Sequence, residues 1–245
     1  MEKNKKIAII GKGNVGTHLV NALAEKVEVI SVDSRSLANF PSDCILAIIS
    51  VSDRAIIGVA ESIAGKVPFI AHTSGSIGIE SLKGTAPNYG VFYPLQTFTK
   101  GNSMSYSDIP FFIEGNNRQT VAFLSEIAGK ISPTVIEADS EKRKHLHLAS
   151  VFACNFSNHL AYIADNILRE KNMDVSLLLP LLRRTVEKLQ SLPPAEAQTG
   201  PAVREDYPVI NSHLEMLSDK PEAKEIYQLL TSDIINTKHK RNLYL

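Results

Sequence analysis

The stretch "IAIIGKGNVGTHLVNAL", Ile7 to Leu23, constrains the fold of this chain more than any other. An apolar run enters three glycines, Gly11, Gly13 and Gly16, and a helical pattern of Val15, Leu19 and Leu23 leaves them. Strand, glycine turn and helix in that order fit G-x-G-x-x-G. An acidic residue, Asp33, follows 22 positions after Gly11. Gly11 permits the tight turn, Gly13 lets backbone approach a pyrophosphate, and Gly16 lets the helix pack close to the sheet. The helix N-terminus, with Asn14 and Val15, then offers free N–H groups and a favourable dipole to an anion. A Walker phosphate loop is excluded, because Thr17 rather than Lys follows Gly16. The bland alternative is a turn without a ligand.

Apolar, β-rich runs recur at Ile7–Ile10, Val27–Val32, Ile45–Ser50, Pro68–His72, Tyr89–Tyr93, Phe111–Glu114 and Thr134–Glu137. Helical patterns follow the first, third and sixth of them. This predicts βαβ units and a parallel sheet covered on both faces. From Ser140 onward no strand pattern occurs. A long helical pattern runs from Ser140 toward Glu170, and further helices are predicted at Val175–Ser191, Val203–Leu217 and Ala223–Lys238, with "LPPAEAQTGP" as a punctuated connection. The expected architecture is α/β. Residues 1–138 form a doubly wound dinucleotide-binding domain, and residues 139–245 form an all-helical domain.

Lys plus Arg and Asp plus Glu both total 26 in 245 residues, which gives no electrostatic footprint for nucleic acid or an anionic membrane. "EKRKH" at Glu141–His145 reads as a solvated helix start. Cys44 and Cys154 both lie in apolar surroundings and read as buried thiols of a reducing compartment. No Cys-x-x-Cys or His-Glu-x-x-His spacing suggests a metal. No apolar stretch approaches the length of a membrane span, and "IAII" is too short for a signal peptide. The cytoplasm is the default expectation.

The second strand ends in "SVDSRS". Asp33 could bond a ribose 2′-hydroxyl, which favours NAD. Ser34, Arg35 and Ser36 could receive a 2′-phosphate, which favours NADP. Three polar donors in a row tip the reading to NADP, and Asp33 would then have to turn away. Ligands of open α/β sheets sit at the carboxyl ends of strands. Ser50, Val51 and His72 are therefore expected beside the cofactor, and Ser74 near the reacting centre. Ser52 and Asp53 read equally well as helix caps.

The stretches "IIGKGNVGTHL", "ISVSDRAI", "HTSGS", "YPLQTF", "HLASVFACNFSNHL", "PLLRRTVEKL" and "AQTGPAVREDYPVINSHL" carry a resemblance over nearly the whole chain. They are similar to the Rossmann-like proteins with the domain of unknown function DUF2520. That family is a branch of the superfamily of pyrroline-5-carboxylate reductase, prephenate dehydrogenase and 6-phosphogluconate dehydrogenase. The resemblance implies an N-terminal Rossmann domain, a C-terminal helical domain and a homodimer formed through those helices. By superfamily analogy it implies NADP-linked oxidoreductase chemistry on a small substrate between the domains. The family pattern usually has His where Tyr93 stands. The lysine that related hydroxyacid dehydrogenases place four residues before an Asn on the long helix is absent, since Val151 precedes Asn155 at that spacing.

Carbonyl or imine reduction needs a proton carrier beside the hydride donor, and a histidine suits that role. His147 is the first candidate, with Asn155 and Ser74. On an α-helix His147, Cys154 and Asn158 fall within about 20° of one line. Tyr93, Gln96, Asn158, Thr199 and Arg204 are the candidate substrate contacts, Arg204 as a carboxylate clamp. Buried polar groups need partners, so structural hydrogen bonds are the rival reading for His147, Asn155 and Asn158. Two other functions fit the sequence: a dinucleotide-binding sensor or scaffold without turnover, and a helical dimerisation module whose nucleotide fold is empty.

Overall fold

A computed structural model describes residues 6–99, 101 and 105–242. The basic residues 1–5 lie outside them. Seven strands form one sheet: β1 (Lys6–Ile10), β2 (Val29–Val32), β3 (Cys44–Ile49), β4 (Phe69–His72), β5 (Asn88–Pro94), β6 (Phe111–Gly115) and β7 (Val135–Glu137). The spatial order is β2-β1-β3-β4-β5-β6-β7. Chain order reverses between β1 and β3, because β2 lies on one side of β1 and β3 on the other. Helices α1 (Asn14–Ala24), α2 (Ile56–Ser62) and α3 (Arg118–Gly129) follow β1, β3 and β6.

One expectation is corrected. The sheet is not wholly parallel, since β5 and β6 pair antiparallel. Among the described residues no helix joins these two strands. A parallel pair requires a long crossover, usually helical, so the chain returns beside β5 in the opposite sense.

Alternation along each strand divides two cores. Ile7 and Ile9 of β1 with Leu46 and Ile48 of β3 pack against Leu19 and Leu23 of α1 and Leu124 and Ile127 of α3. Ala8 and Ile10, Ala47 and Ile49 face the other way, against Ile56, Val59 and Ile63. Successive strand residues point to opposite faces, and both faces are covered, so the strands read as unbroken apolar runs.

Residue contacts divide the chain into two compact units, Met1–Asn155 and Phe156–Leu245. The last strand ends at Glu137, yet α4 (Ser140–Ser150) groups with the sheet. Asp139 caps it by accepting from the Lys142 N–H at 2.8 Å. Residues Val151–Phe156 are π-helical and the division falls near their end. A π stretch bonds i to i+5. The straight α-helical line through His147, Cys154 and Asn158 is therefore broken.

The second unit contains α5 (Ser157–Arg169), α6 (Leu179–Lys188), the short α7 (Pro194–Ala197) and α8 (Pro201–Arg204), α9 (Tyr207–Met216) and α10 (Pro221–Asn242). The predicted helix Val203–Leu217 is split. Glu205 is left-handed with φ 55°, and Asp206 restarts the helix by accepting from Val209 N–H. Lys220 pairs with Glu170 at 3.0 Å, and Lys238 with Glu205 at 2.8 Å. Cys154 is exposed, which corrects the expectation of two buried thiols; Cys44 is buried. No helix among the described residues is long and apolar enough to cross a membrane.

Leu19 is 0% exposed and wedges α1 onto the sheet. Leu19→Ala is expected to lower unfolding free energy by about 2–5 kcal/mol, read as a lower urea midpoint with an unchanged slope.

Candidate functional site

The reversal of strand order between β1 and β3 opens a crevice at their carboxyl ends. There the Ser50 N–H donates to the Ile10 carbonyl at 2.7 Å, and the Gly11 N–H to the Val32 carbonyl at 3.0 Å. A Cβ on Gly11 would lie 2.1 Å from the Ser50 carbonyl oxygen, and one on Gly16 2.2 Å from the Gly11 oxygen. Both positions are glycine because the chain itself fills the space; φ of +114° at Gly11 adds a second reason. Gly13 differs: a Cβ there would meet nothing within 4 Å. It faces a cleft of about 610 Å³ that Gly11, Lys12, Asn14 and Val15 also line.

Helix α1 begins at this cleft without a side-chain cap or an acidic residue in its first turn. By contrast, Asn117 caps α3 and Asp139 caps α4. The first N–H groups of a helix need acceptors. An uncapped N-terminus behind an open glycine fits the pyrophosphate of a dinucleotide.

At the end of β2, Arg35 grips Asp33. Its Nε and Nη2 donate to the two carboxylate oxygens at 3.2 Å each, and its backbone N–H donates to Oδ1 at 3.0 Å. The Lys12 ammonium stands 3.6 Å from the same carboxylate. These contacts, with that of the Arg35 guanidinium foremost, hold the Asp33 carboxyl well below the usual range. Ser34 lines the cleft; Arg35 and Ser36 are exposed beside it.

Ser50 and Val51, beside Gly11, line the same cleft, as do Asp53, Thr73, Ser74, Gly75, Tyr93, Gln96 and His147. The Ser76 hydroxyl donates to Asp53 in a short hydrogen bond. The Ser74 hydroxyl oxygen accepts from the Ser76 and Ile77 N–H groups at 3.1 and 3.0 Å. Neither Ser52 nor Asp53 caps the following turn through its side chain; Asp53 holds the Ser74–Ser76 loop instead.

Tyr93 and His147 meet 54 positions apart, with the phenol oxygen 3.2 Å from Nδ1. Gly75 packs against both: a Cβ there would lie 2.6 Å from the His147 Nδ1 and 2.8 Å from the Tyr93 Cζ. Burial pushes the Tyr93 phenol up, so it keeps its hydrogen at neutral pH. A hydroxyl can donate to a neutral imidazole nitrogen and accept from a protonated one. The ring is therefore held in both protonation states.

His72 ends β4 as expected, but its side chain does not face the cleft. It is 0% exposed and absent from the cleft wall. Its Nδ1 accepts from the Ser74 N–H at 3.2 Å, while Nε2 has no hydrogen-bond partner among the described residues. Burial first, and then the Arg143 charge, push it down to about 4.

Arg143 itself corrects the reading of "EKRKH" as a solvated stretch. Its side chain is fully buried, paired with Glu114 of β6, and donates to the Ile77 carbonyl. Ser140 adds its N–H and hydroxyl to Glu114 at 2.9 and 2.8 Å. This cluster fixes α4, and with it His147 one turn further on. The spacing of four from Arg143 to His147 was a signal in the sequence; the burial was not.

Of the remaining candidates, Asn155 is exposed and does not line the cleft, and Asn158 is exposed on the second unit. Thr199 and Arg204 lie on the second unit, both exposed. Glu205 pairs with Lys238 and His239, and Asp206 caps α9. Asp53, Thr73 and Gly75 line the cleft from the strand ends "VSD" and "TSGS" expected there, and Lys12 and Pro94 line it without having been singled out. Among the described residues no group of His, Cys, Asp and Glu could hold a metal.

Residues 109–234, just over half of the chain, match the family model described as Domain of unknown function (DUF2520). The chain belongs to the DUF2520 family. A Bacteroides fragilis protein named "putative NADP oxidoreductase" is 38% identical. The match covers 95% of this DUF2520 chain and 98% of the other, with a TM-score of 0.90. A Thermotoga maritima protein is 21% identical over 96% and 99%, with a TM-score of 0.72. Pyrroline carboxylate reductase of Plasmodium falciparum, solved with NADP bound, is 15% identical over 96% and 98%, with a TM-score of 0.58. The last two show the fold alone. No curated protein matches this DUF2520 member.

Two stability outcomes follow from the buried cluster. Glu114→Gln leaves Arg143 buried without its counter-charge and is expected to cost about 3–5 kcal/mol in urea unfolding. His72 is neutral when folded and binds a proton more readily when unfolded. Its contribution is therefore fully present above about pH 6.5 and is lost as pH falls toward 4. The loss is on the order of 3 kcal/mol, and His72→Asn should flatten that part of the stability–pH curve.

Proposed function

We propose that this chain is an NADP-dependent oxidoreductase that transfers a hydride to or from a small carbonyl, imine or carboxylate-bearing substrate. The observation that carries the proposal is one cleft lined both by an open Gly13 before an uncapped helix and by the Tyr93–His147 pair. The name of the Bacteroides relative supports it, as does the fold shared with an NADP-binding reductase.

When bound, the dinucleotide supplies the hydride. Gly11, Gly13, Asn14, Val15 and Gly16 would hold its pyrophosphate, and Ser50 and Val51 its nicotinamide side. His147 carries the proton: in the reductive direction it gives one to the oxygen or nitrogen of the reduced bond, and becomes neutral imidazole. Tyr93 keeps the ring in place as the charge changes. Ser74, Gln96 and Tyr93 would contact substrate, and Asn155, Asn158, Thr199 and Arg204 remain candidates. The Asp33 carboxylate is engaged by Arg35 and Lys12 and so is less free to accept from a ribose hydroxyl, and both exposed cations can receive a 2′-phosphate, which supports NADP.

The second unit exposes large apolar side chains, among them Leu177, Leu181, Val186 and Leu229. Apolar surface on this scale favours association, and a second copy is the proposed partner.

NADPH is expected to quench or shift protein fluorescence and raise the melting temperature, more so than NADH. Gly13→Ala should fold normally yet weaken NADPH binding by roughly tenfold or more. Absence of any response to either dinucleotide at millimolar concentration would sink the proposal. With a turned-over carbonyl or imine in hand, His147→Ala should lower kcat by about 10²–10⁴ at unchanged NADPH affinity. Tight binding without turnover across such a panel would instead favour a dinucleotide sensor.

A further inference from the structure

At the end of β2 one carboxylate is held by two cations from different parts of the chain. Arg35 reaches it with a two-pronged contact at 3.2 Å, from two residues away. Lys12, the residue between the first two glycines, reaches it at 3.6 Å. Asp33 is about a quarter exposed, whereas Lys12 is 61% and Arg35 89% exposed, so a ligand can reach both cations. The arrangement is the one a phosphate monoester would draw together, since a guanidinium fork matches two oxygens and an ammonium adds a point charge.

Resting on the NADP reading above, we propose that Asp33 is an internal stand-in for the 2′-phosphate. Its carboxylate holds Lys12 and Arg35 together, and the 2′-phosphate takes both cations over when NADP(H) binds. Asp33 is then not a ribose ligand, the role its position after the second strand would otherwise suggest. It is a competitor that lowers affinity for the phosphorylated cofactor. Lys12 becomes a specificity-determining residue, although it sits inside the glycine turn. The Arg35 backbone N–H also bonds the Asp33 carboxylate, so the side chain shapes the local turn as well. An amide oxygen keeps that turn bond while removing the charge.

The test measures dissociation constants of NADPH and NADH for the full chain by titration calorimetry. Adenosine 2′,5′-bisphosphate and 5′-AMP serve as probes that carry no nicotinamide. Asp33→Asn should tighten NADPH and the bisphosphate by about two- to fivefold, the scale of exposed ion pairs, and leave NADH and AMP unchanged. Lys12→Ala and Arg35→Ala should each weaken NADPH and the bisphosphate more than NADH and AMP, with a shallower salt dependence. If Asp33→Asn weakens NADH and leaves NADPH unchanged, Asp33 holds the ribose and the proposal is overturned. Equal losses for all four ligands in Lys12→Ala would place Lys12 on the pyrophosphate and overturn its part. An unaltered chain that binds neither dinucleotide fails differently: it overturns the oxidoreductase reading itself. Melting temperatures within about 3 °C of the unaltered chain show that each variant is folded.

Discussion

The cleft depends on one close approach, that of the Gly11 α-carbon to the Ser50 carbonyl. Two strand ends, β1 and β3, come so near that no side chain fits between them. Their separation sets where α1 begins, and Gly16 tightens the same turn by packing against the Gly11 carbonyl. From this point α1 carries the glycine turn and β3 carries Ser50 and Val51, so both walls of the crevice inherit one steric constraint. Gly13 alone is relieved of it, which marks the direction from which a ligand arrives.

The far wall rests on a different interaction. Arg143 is buried with Glu114 and Ile77, and so joins α4 to β6 and to the loop after β4. The positive charge in turn helps keep His72 neutral. A polar cluster of this kind is costly to disrupt, because each member left alone is a buried charge. Its effect is geometric: His147 sits one turn beyond Arg143, and its ring meets Tyr93 without any sequence proximity between them.

Much of this was legible beforehand, and the exceptions have causes. All seven strands lie where short apolar runs are bracketed by glycine or polar residues, because strands covered on both faces need side chains on both. The direction of β6 was not legible, since periodicity carries no sign. His147 and Ser74 were found as polar residues in suggestive places. The burial of Arg143 and His72 was hidden, because their partners come from elements far along the chain. A left-handed Glu205 and a π-helical Val151–Phe156 likewise break helical patterns that look continuous in composition. Asn155 and Asn158 were placed by extrapolating an ideal helix through that stretch.

The missing cap on α1 has a thermodynamic consequence. A helix whose first N–H groups await an outside acceptor is completed by its ligand rather than by its own sequence. An anion bound there belongs to the folded state alone, so it shifts the folding equilibrium by mass action. That shift amounts to about 2.7 kcal/mol when the free ligand stands at a hundred times its dissociation constant. An anion bound at this end of α1 would therefore be read directly in the conformational stability of the chain.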